Sequence, residues 1–528
     1  MQGEYRMSRS LARIMAIITI IAVACSLIYI GLSRGDVSRD SNGFHYAREL
    51  KIAISTDITT IDINYATSVA DFEVLGKVYE SLFRIGYNPV EKKLVYIPQL
   101  VEKYIPINET FWFFVLKDGI KFHNGKELTA WDVEASIRRS IEISPIGRML
   151  LRDAEGMPII DDIIVYNSSS FALRLRKPFA PLIEHLAHLS VAVMPKDIAE
   201  RYMDKKIESL DDVIGTGPYR LIEYVRGQYV KLQRFDDYWG KKPLLEMVIY
   251  RIVPDVNSRI TALKTREVDI SVGIPPEMAL QLKREGFKVY NETGVRFVIA
   301  AINTLKIPDV RIRRAMNYAV DRRAIVENIL NGFAVIAKSV ASPIFPNVVY
   351  LEPYSYDPEE AERLITEAGG INRTLTLLVS TRSPKDIELA QTLKYYLSEV
   401  GISVEIQSIE HTAFLKKVFQ DHDFDLAIYG PSPSSLYYAL TYWRTKAALN
   451  APLYSNPEVD RLLDIVVEEK DEEVRQSIYR RIQEIIWSEC PAIWLYFENI
   501  IIVTRSSVEG LRILPFQILI LDDVYVKN

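Results

Sequence analysis

Residues 215–243, GTGPYRLIEYVRGQYVKLQRFDDYWGKKP, constrain the fold more than any other stretch. Gly215-Thr216-Gly217-Pro218 is a turn signal. RLIEYV and YVKLQRF each alternate apolar and polar residues, the period of a half-buried strand. Gly227 breaks the two runs and predicts a hairpin. Asp237-Tyr238-Trp239-Gly240 then closes the second strand with large aromatic rings. Read by pattern alone, this is an antiparallel hairpin of a β-containing protein.

The chain around it is long. At 528 residues it exceeds one ordinary hydrophobic core, and two or three domains are expected. Hydrophobic residues at 48% and charged residues at 25% describe a globular chain. The net charge of −5 and the lack of a basic aromatic stripe after residue 40 argue against a nucleic-acid binder. The two cysteines, Cys25 and Cys490, leave the folded part with no internal disulfide and no cysteine-rich metal site. His185 and His188 stand at helical spacing, but no further ligand lies near them in sequence, and neither metal nor cofactor is expected.

Residues 14–32, IMAIITIIAVACSLIYIGL, carry no charge and approach the roughly 20 residues that span a bilayer. Arg6, Arg9 and Arg13 precede them, so the N-terminus is expected inside and the rest outside. Ala22-Val23-Ala24 also reads as a signal-peptidase site, and Ala-Val-Ala-Cys as a loose lipobox on Cys25. The apolar run continues past both, so the expectation is an uncleaved transmembrane helix followed by a polar tether, 33–48.

Elements follow in order. ELKIAIST is a first strand, and FEVLGKVYESLFRI reads as a helix ending in Tyr79-Glu80-Ser81-Leu82-Phe83. In TFWFFVLKDGIKFHNGKELTAWDVEASIRRSIE, Thr129 and Asp132 form a capping box, with Val133, Ile137 and Ile141 on one helical face. VRFVIAAINT is a buried strand, and Asp321 caps the helix before Gly332. From 353 to 430 the pattern becomes strand, helix, strand, with Leu389, Leu393, Leu397 and Val400 on one face. That alternation implies a mainly parallel sheet, whose ligands bind beyond the carboxyl ends of its strands. The carboxyl end of FDLAIYG is Tyr429-Gly430.

The hairpin string, the block from 98 to 142, the Arg-x-Ala helix pair near 313–322 and the closing strands resemble the family 5 extracytoplasmic solute-binding proteins. These are the oligopeptide, dipeptide and nickel binders of ABC importers, and the likeness runs from about residue 49 to the end. It implies an α/β, two-lobed periplasmic-binding-protein-like (type II) fold with an inserted subdomain, here behind the transmembrane segment. Residues 1–13 would be cytoplasmic. Residues 49–92, 209–302 and 499–528 would form lobe I, 93–208 the inserted subdomain, and 303–498 lobe II. Peptide binders of the family usually follow the strand before Gly430 with an Ala-Asp-Tyr-like segment whose aspartate holds the peptide's amine. Pro431-Ser432-Pro433-Ser434-Ser435 stands there instead, with no carboxylate. A buried amine without a countercharge is costly. Either another acid, Asp57 or Glu80, replaces it, or the ligand has no free amine at that point.

The ligand-contacting candidates are therefore Asp57, Glu80, Tyr429, Gly430, Ser432, Ser434, Tyr437, Tyr442 and Trp443, the aromatics offering flat faces with polar tips. The expected partners are an oligopeptide or an oligosaccharide, the permease subunits of an ABC transporter and, through the N-terminal helix, the membrane. The external part is expected to be monomeric. An extracellular hydrolase is the competing reading, but G-x-S-x-G, H-E-x-x-H and a Cys-His pairing are absent.

Overall fold

The computed structural model describes residues 46–153 and 155–527, and residues 46–527 cluster as one compact unit. No helix of the described residues is long and apolar enough to cross a membrane. The run 14–32, the tether up to 45 and Cys25 lie outside the described residues.

One mixed sheet forms the backbone of the molecule. Its strands run in the order Val404–Ile409, Leu375–Ser380, Leu426–Tyr429, Lys288–Ile302, Ala492–Thr504, Ile270–Val272, Glu49–Ile54, Met247–Ile252, Tyr229–Arg234 and Tyr219–Val225. The first three are mutually parallel, as their helix-separated sequence requires. Lys288–Ile302 and Ala492–Thr504 are long and antiparallel, and carry the sheet from one end to the other. Their pairing register shifts between Thr293 and Phe297 and again between Val298 and Ile299. Such shifts bend a strand locally. Apolar packing divides there. One core gathers Leu50, Ile52, Tyr219, Val248 and Ile502. Another gathers Val298, Leu377, Leu393, Leu426 and Ile493.

A separate four-stranded antiparallel sheet, Val101–Pro106, Phe111–Leu116, Ser170–Leu175 and Ile160–Asn167, builds its own core around Phe114, Phe171 and helix Ala130–Ile143. That helix starts on Thr129, whose backbone and hydroxyl both donate to Asp132, and buries Val133, Ile137 and Ile141.

The hairpin forms as its alternation predicts, Tyr219–Val225 against Tyr229–Arg234 with Gly227 at positive φ. Its leading turn sits on backbone: a Cβ on Gly215 would meet Val78 O at 2.1 Å, and one on Gly217 would meet Lys77 O at 2.6 Å. Only glycine permits that approach.

Two sequence expectations are corrected. The helix before Glu80 is Val69–Leu75 and stops at Gly76, where a Cβ would strike Phe72 O at 2.6 Å and Leu189 Cδ1 at 2.9 Å. Residues 79–83 are therefore not helical. Glu80 bridges to Val193, and strand Phe83–Asn88 follows. His185 and His188 do not share a helical face either. Helix Leu182–Leu186 ends between them, and His188 instead caps the turn Leu189–Val191.

Candidate functional site

A cavity of about 2070 Å3 is lined from both ends of the long sheet. Its walls come from the segments around Glu80 and Arg84, the edge of the parallel strands at Ser380, His411 and Tyr429, the long strands at Arg296 and Glu498, and residues 511–522. The last of these form a small hairpin, Arg512–Leu514 against Ile518–Ile520. Buried Glu73 secures it by accepting from Leu519 N at 2.8 Å while paired to Lys77 Nζ at 3.2 Å and Tyr250 Oη at 2.7 Å.

Of the residues expected at the site, Glu80, Tyr429, Gly430, Ser432, Ser434 and Tyr442 line this cavity. Tyr429 ends its strand half-buried, edge-on to Phe419 at 5.4 Å between ring centres. Tyr442 packs against Tyr438 at 4.9 Å, and both face the cavity. The turn Pro431–Ser435 leads into helix Leu436–Thr441, capped by Ser435 Oγ.

Glu80 borders the cavity but is fully engaged. It accepts from Gln99 Nε2 at 2.5 Å, Tyr238 Oη at 2.7 Å, Thr216 Oγ1 at 2.8 Å and Trp239 Nε1 at 2.9 Å. A carboxylate offers about four acceptor positions, so none is left for a ligand amine. Burial pushes its carboxyl above the usual range, and the four donors oppose that. Its partners show why the aromatic end of the hairpin is placed as it is: Tyr238 and Trp239 fasten to Glu80. His123 fastens the other side of the turn, with Nε2 bonded to Gly217 O at 2.9 Å and Gly215 N donating to Nδ1 at 3.3 Å.

Asp57, Tyr437 and Trp443 stand away from the cavity lining. Asp57 accepts from Gly227 N at 2.7 Å, Ile58 N at 2.8 Å and Tyr224 Oη at 3.0 Å, bracing the hairpin turn. Tyr437 packs against Phe179 and His185. Trp443 is 4% exposed and lies edge-on to Trp494 at 5.4 Å, inside a core with Tyr454 and Trp487. Its position one residue after Tyr442 turns it inward on the helical end, which sequence density alone does not resolve.

Sequence reasoning missed the charged group beside Gly430. Arg296 Nη1 donates to Glu498 Oε2 at 2.6 Å, and Nη2 lies 3.7 Å from Asp386 Oδ2. The signal was present: Arg296 and Glu498 are lone charges in the apolar strands VRFVIAAI and IWLYFENIII. Nearby, Ser380 Oγ lies 3.1 Å from His411 Nδ1, and Arg382 Nη1 lies 3.3 Å from His411 Nε2. Arginine N–H only donates, so His411 Nε2 accepts, and a neutral ring then carries its proton on Nδ1 toward Ser380. Among the described residues no group of three His, Cys, Asp or Glu side chains is arranged to hold a metal ion.

Residues 95–449 match the sequence model of the bacterial extracellular solute-binding proteins, family 5. The glutathione-binding protein GsiB of Escherichia coli (strain K12) is 27% identical over 491 residues, covering 89% of this chain and 93% of that protein. The ABC transporter substrate-binding protein CtaP of Listeria monocytogenes superposes with a TM-score of 0.83 at 24% identity, over 92% of this chain and all (100%) of that one. DppA of Helicobacter pylori, solved with the peptide STSA, gives a TM-score of 0.75 at 23% identity, over 92% and 99%. The mixed α/β fold is thus that of periplasmic binding proteins, and the relatives are carriers of solute, not enzymes. The chain belongs to the family 5 bacterial extracellular solute-binding proteins.

Proposed function

We propose that the chain is a membrane-tethered external receptor that encloses an oligopeptide and hands it to the permease of an ABC importer. The observation that carries this reading is the cavity: about 2070 Å3, walled from both ends of one sheet. Pockets for single drug-sized molecules are about 300–1,000 Å3, so an oligomer fits this space better than a lone metabolite. GsiB is named for glutathione and DppA was solved with a peptide, which supports a peptide-like ligand. Arg382 is exposed in the cavity wall with no carboxylate partner among the described residues, and offers a docking point for an anionic end.

Residues 49–92, 209–302 and 499–528 form one lobe in this reading, 93–208 its inserted subdomain, and 303–498 the other lobe. The hinge lies in the two long strands where their register shifts at Thr293–Phe297. Contacts made only in the closed form supply the drive for closure. Residues 14–32 are the anchor. An oligosaccharide is the second reading, favoured by the rings of Tyr429, Tyr438, Tyr442, Phe414 and Phe419 in the wall.

Native mass spectrometry of the purified full-length protein tests this. A bound mass that fragments into amino-acid residues is the expected result. Hexose spacing carries the second reading. No bound mass, together with no calorimetric signal from a tri- to hexapeptide mixture, overturns the peptide receptor.

A further inference from the structure

The sequence holds four Asn-x-Ser/Thr triplets: Asn108-Glu109-Thr110, Asn167-Ser168-Ser169, Asn291-Glu292-Thr293 and Asn372-Arg373-Thr374. This is the acceptor pattern for N-linked glycan. A chain of 528 residues acquires such triplets by chance, so the pattern alone decides nothing. The fold presents the four in different ways.

Asn108 and Asn167 stand at the two hairpin turns of the separate four-stranded sheet, Val101–Pro106 to Phe111–Leu116 and Ile160–Asn167 to Ser170–Leu175. The register of the two middle strands puts those turns at opposite ends of the sheet. Both asparagines are exposed, and neither lines the cavity. In each, the side-chain oxygen folds back onto its own triplet. Asn108 Oδ1 accepts from Thr110 N at 3.0 Å and Thr110 Oγ1 at 3.3 Å. Asn167 Oδ1 accepts from Ser169 N at 2.9 Å and Ser169 Oγ at 3.1 Å. A backbone N–H only donates, so the atom it meets is the amide oxygen. The nitrogen, Nδ2, is then the branch that faces away from the turn. It makes no hydrogen bond among the described residues in either asparagine. Glu109 pairs with Lys470, but both side chains are largely exposed and the pair carries little energy.

The other two triplets are held. Asn291 lies inside strand Lys288–Ile302, opposite Ile501, and its Oδ1 accepts from Asn499 Nδ2 at 2.8 Å. Asn372 is exposed ahead of strand Leu375–Ser380, but no bond joins its amide to Thr374 among the described residues. The residue between them, Arg373, is fixed to Asp425 by bonds of 2.6 and 2.9 Å. A transferase must draw the triplet into its own cleft. Exposed turn tips yield to such handling more easily than a residue paired in a sheet.

We propose that Asn108 and Asn167 are N-glycosylation sites, with an oligosaccharide linked to a polyprenyl phosphate as the donor. Membership of an extracellular family supports exposure to such donors, which face outward. In the transfer, Asn Nδ2 bonds to C1 of the first sugar as the bond from C1 to the phosphate oxygen breaks. The phosphate leaves with the electron pair, the amide gives up one proton, and nothing is oxidised or reduced. The glycans then stand at both ends of the four-stranded sheet, clear of the cavity.

Glycopeptide mass spectrometry on full-length protein purified from its native cells tests this. A glycan mass on Asn108 and on Asn167, at an occupancy at least about threefold that of Asn291 or Asn372, is the expected result. Bare Asn108 and Asn167 overturn the proposal. Equal occupancy of all four also overturns it, since the fold would then select nothing. Two variants made in the same cells identify the linkage, with melting temperature as the check on folding. Thr110→Ala should lose the glycan at Asn108 and keep that at Asn167, and Ser169→Ala should do the reverse. A mass that survives at Asn108 in Thr110→Ala, or at Asn167 in Ser169→Ala, contradicts transfer to these triplets.

Discussion

At the scale of single residues, neighbours in sequence have different duties. Tyr442 lines the cavity and Trp443, one position on, is buried against Trp494. Trp443→Ala should therefore cost about 3–5 kcal/mol of stability, the usual loss for a large buried ring, with ligand affinity kept in the folded fraction. Tyr442→Ala should instead cost about 2 kcal/mol in binding, roughly thirtyfold, with little change in melting temperature. Calorimetry and thermal unfolding on both variants check this, and the opposite pattern would place Trp443 in the wall. Two buried histidines, His123 and His185, and the half-buried His188 give a second prediction. Burial holds His123, His185 and His188 down to about 4. Their neutral forms are favoured by folding, so their contribution to stability is complete above the unfolded value near 6.5. It falls as the pH drops from there toward about 4. Each contributes a slope of about 1.4 kcal/mol per pH unit in that window. The carboxyls of Glu73, Glu80 and Glu184 are raised by burial and act with the opposite sign, so a bulk melting curve mixes the two. Imidazole resonances followed by NMR separate them, and titration of these three rings near 6.5 would contradict the buried assignment.

At the scale of elements, the hairpin 215–239 is where sequence and structure agree most closely, because both its alternation and its glycine turn are local signals. Its fastening is tertiary. Asp57 holds one end, His123 and Glu80 the other, and none of these bonds spans fewer than 92 residues. Gly215→Ala should accordingly destabilise the protein by about 1–3 kcal/mol, the range of an overpacked site, since the new methyl meets backbone rather than a movable side chain. Thermal unfolding measures it, and an unchanged midpoint would mean the turn yields easily. The capping box at Thr129 and the face Leu389, Leu393, Leu397 were legible for the same reason, being fixed by spacing of three or four residues. Less legible was the helix end at Gly76. Leu189, more than a hundred positions away, packs close against that glycine. The Arg296, Glu498 and Asp386 group was hidden likewise, because the three meet only once the long strands pair and helix Pro384–Glu399 packs on them. Sequence marked two of them as charges in apolar strands but could not say that they answer one another.

At the scale of the molecule, Lys288–Ile302 and Ala492–Thr504 join two apolar cores through one sheet, and the cavity opens against both. Full-length protein should partition with membranes and a chain beginning at Arg48 should stay in the supernatant. Native protein whose first residue is Ser26 or a lipidated Cys25 would contradict an uncleaved helix. In the proposed function this cavity takes up an oligomer by closing about the two long strands. Small-angle scattering tests it most directly, on protein stripped of the ligand with which it purifies and then saturated with that ligand again. A smaller radius of gyration in the saturated sample is the predicted result. An unchanged radius at calorimetrically proven saturation would contradict the hinge.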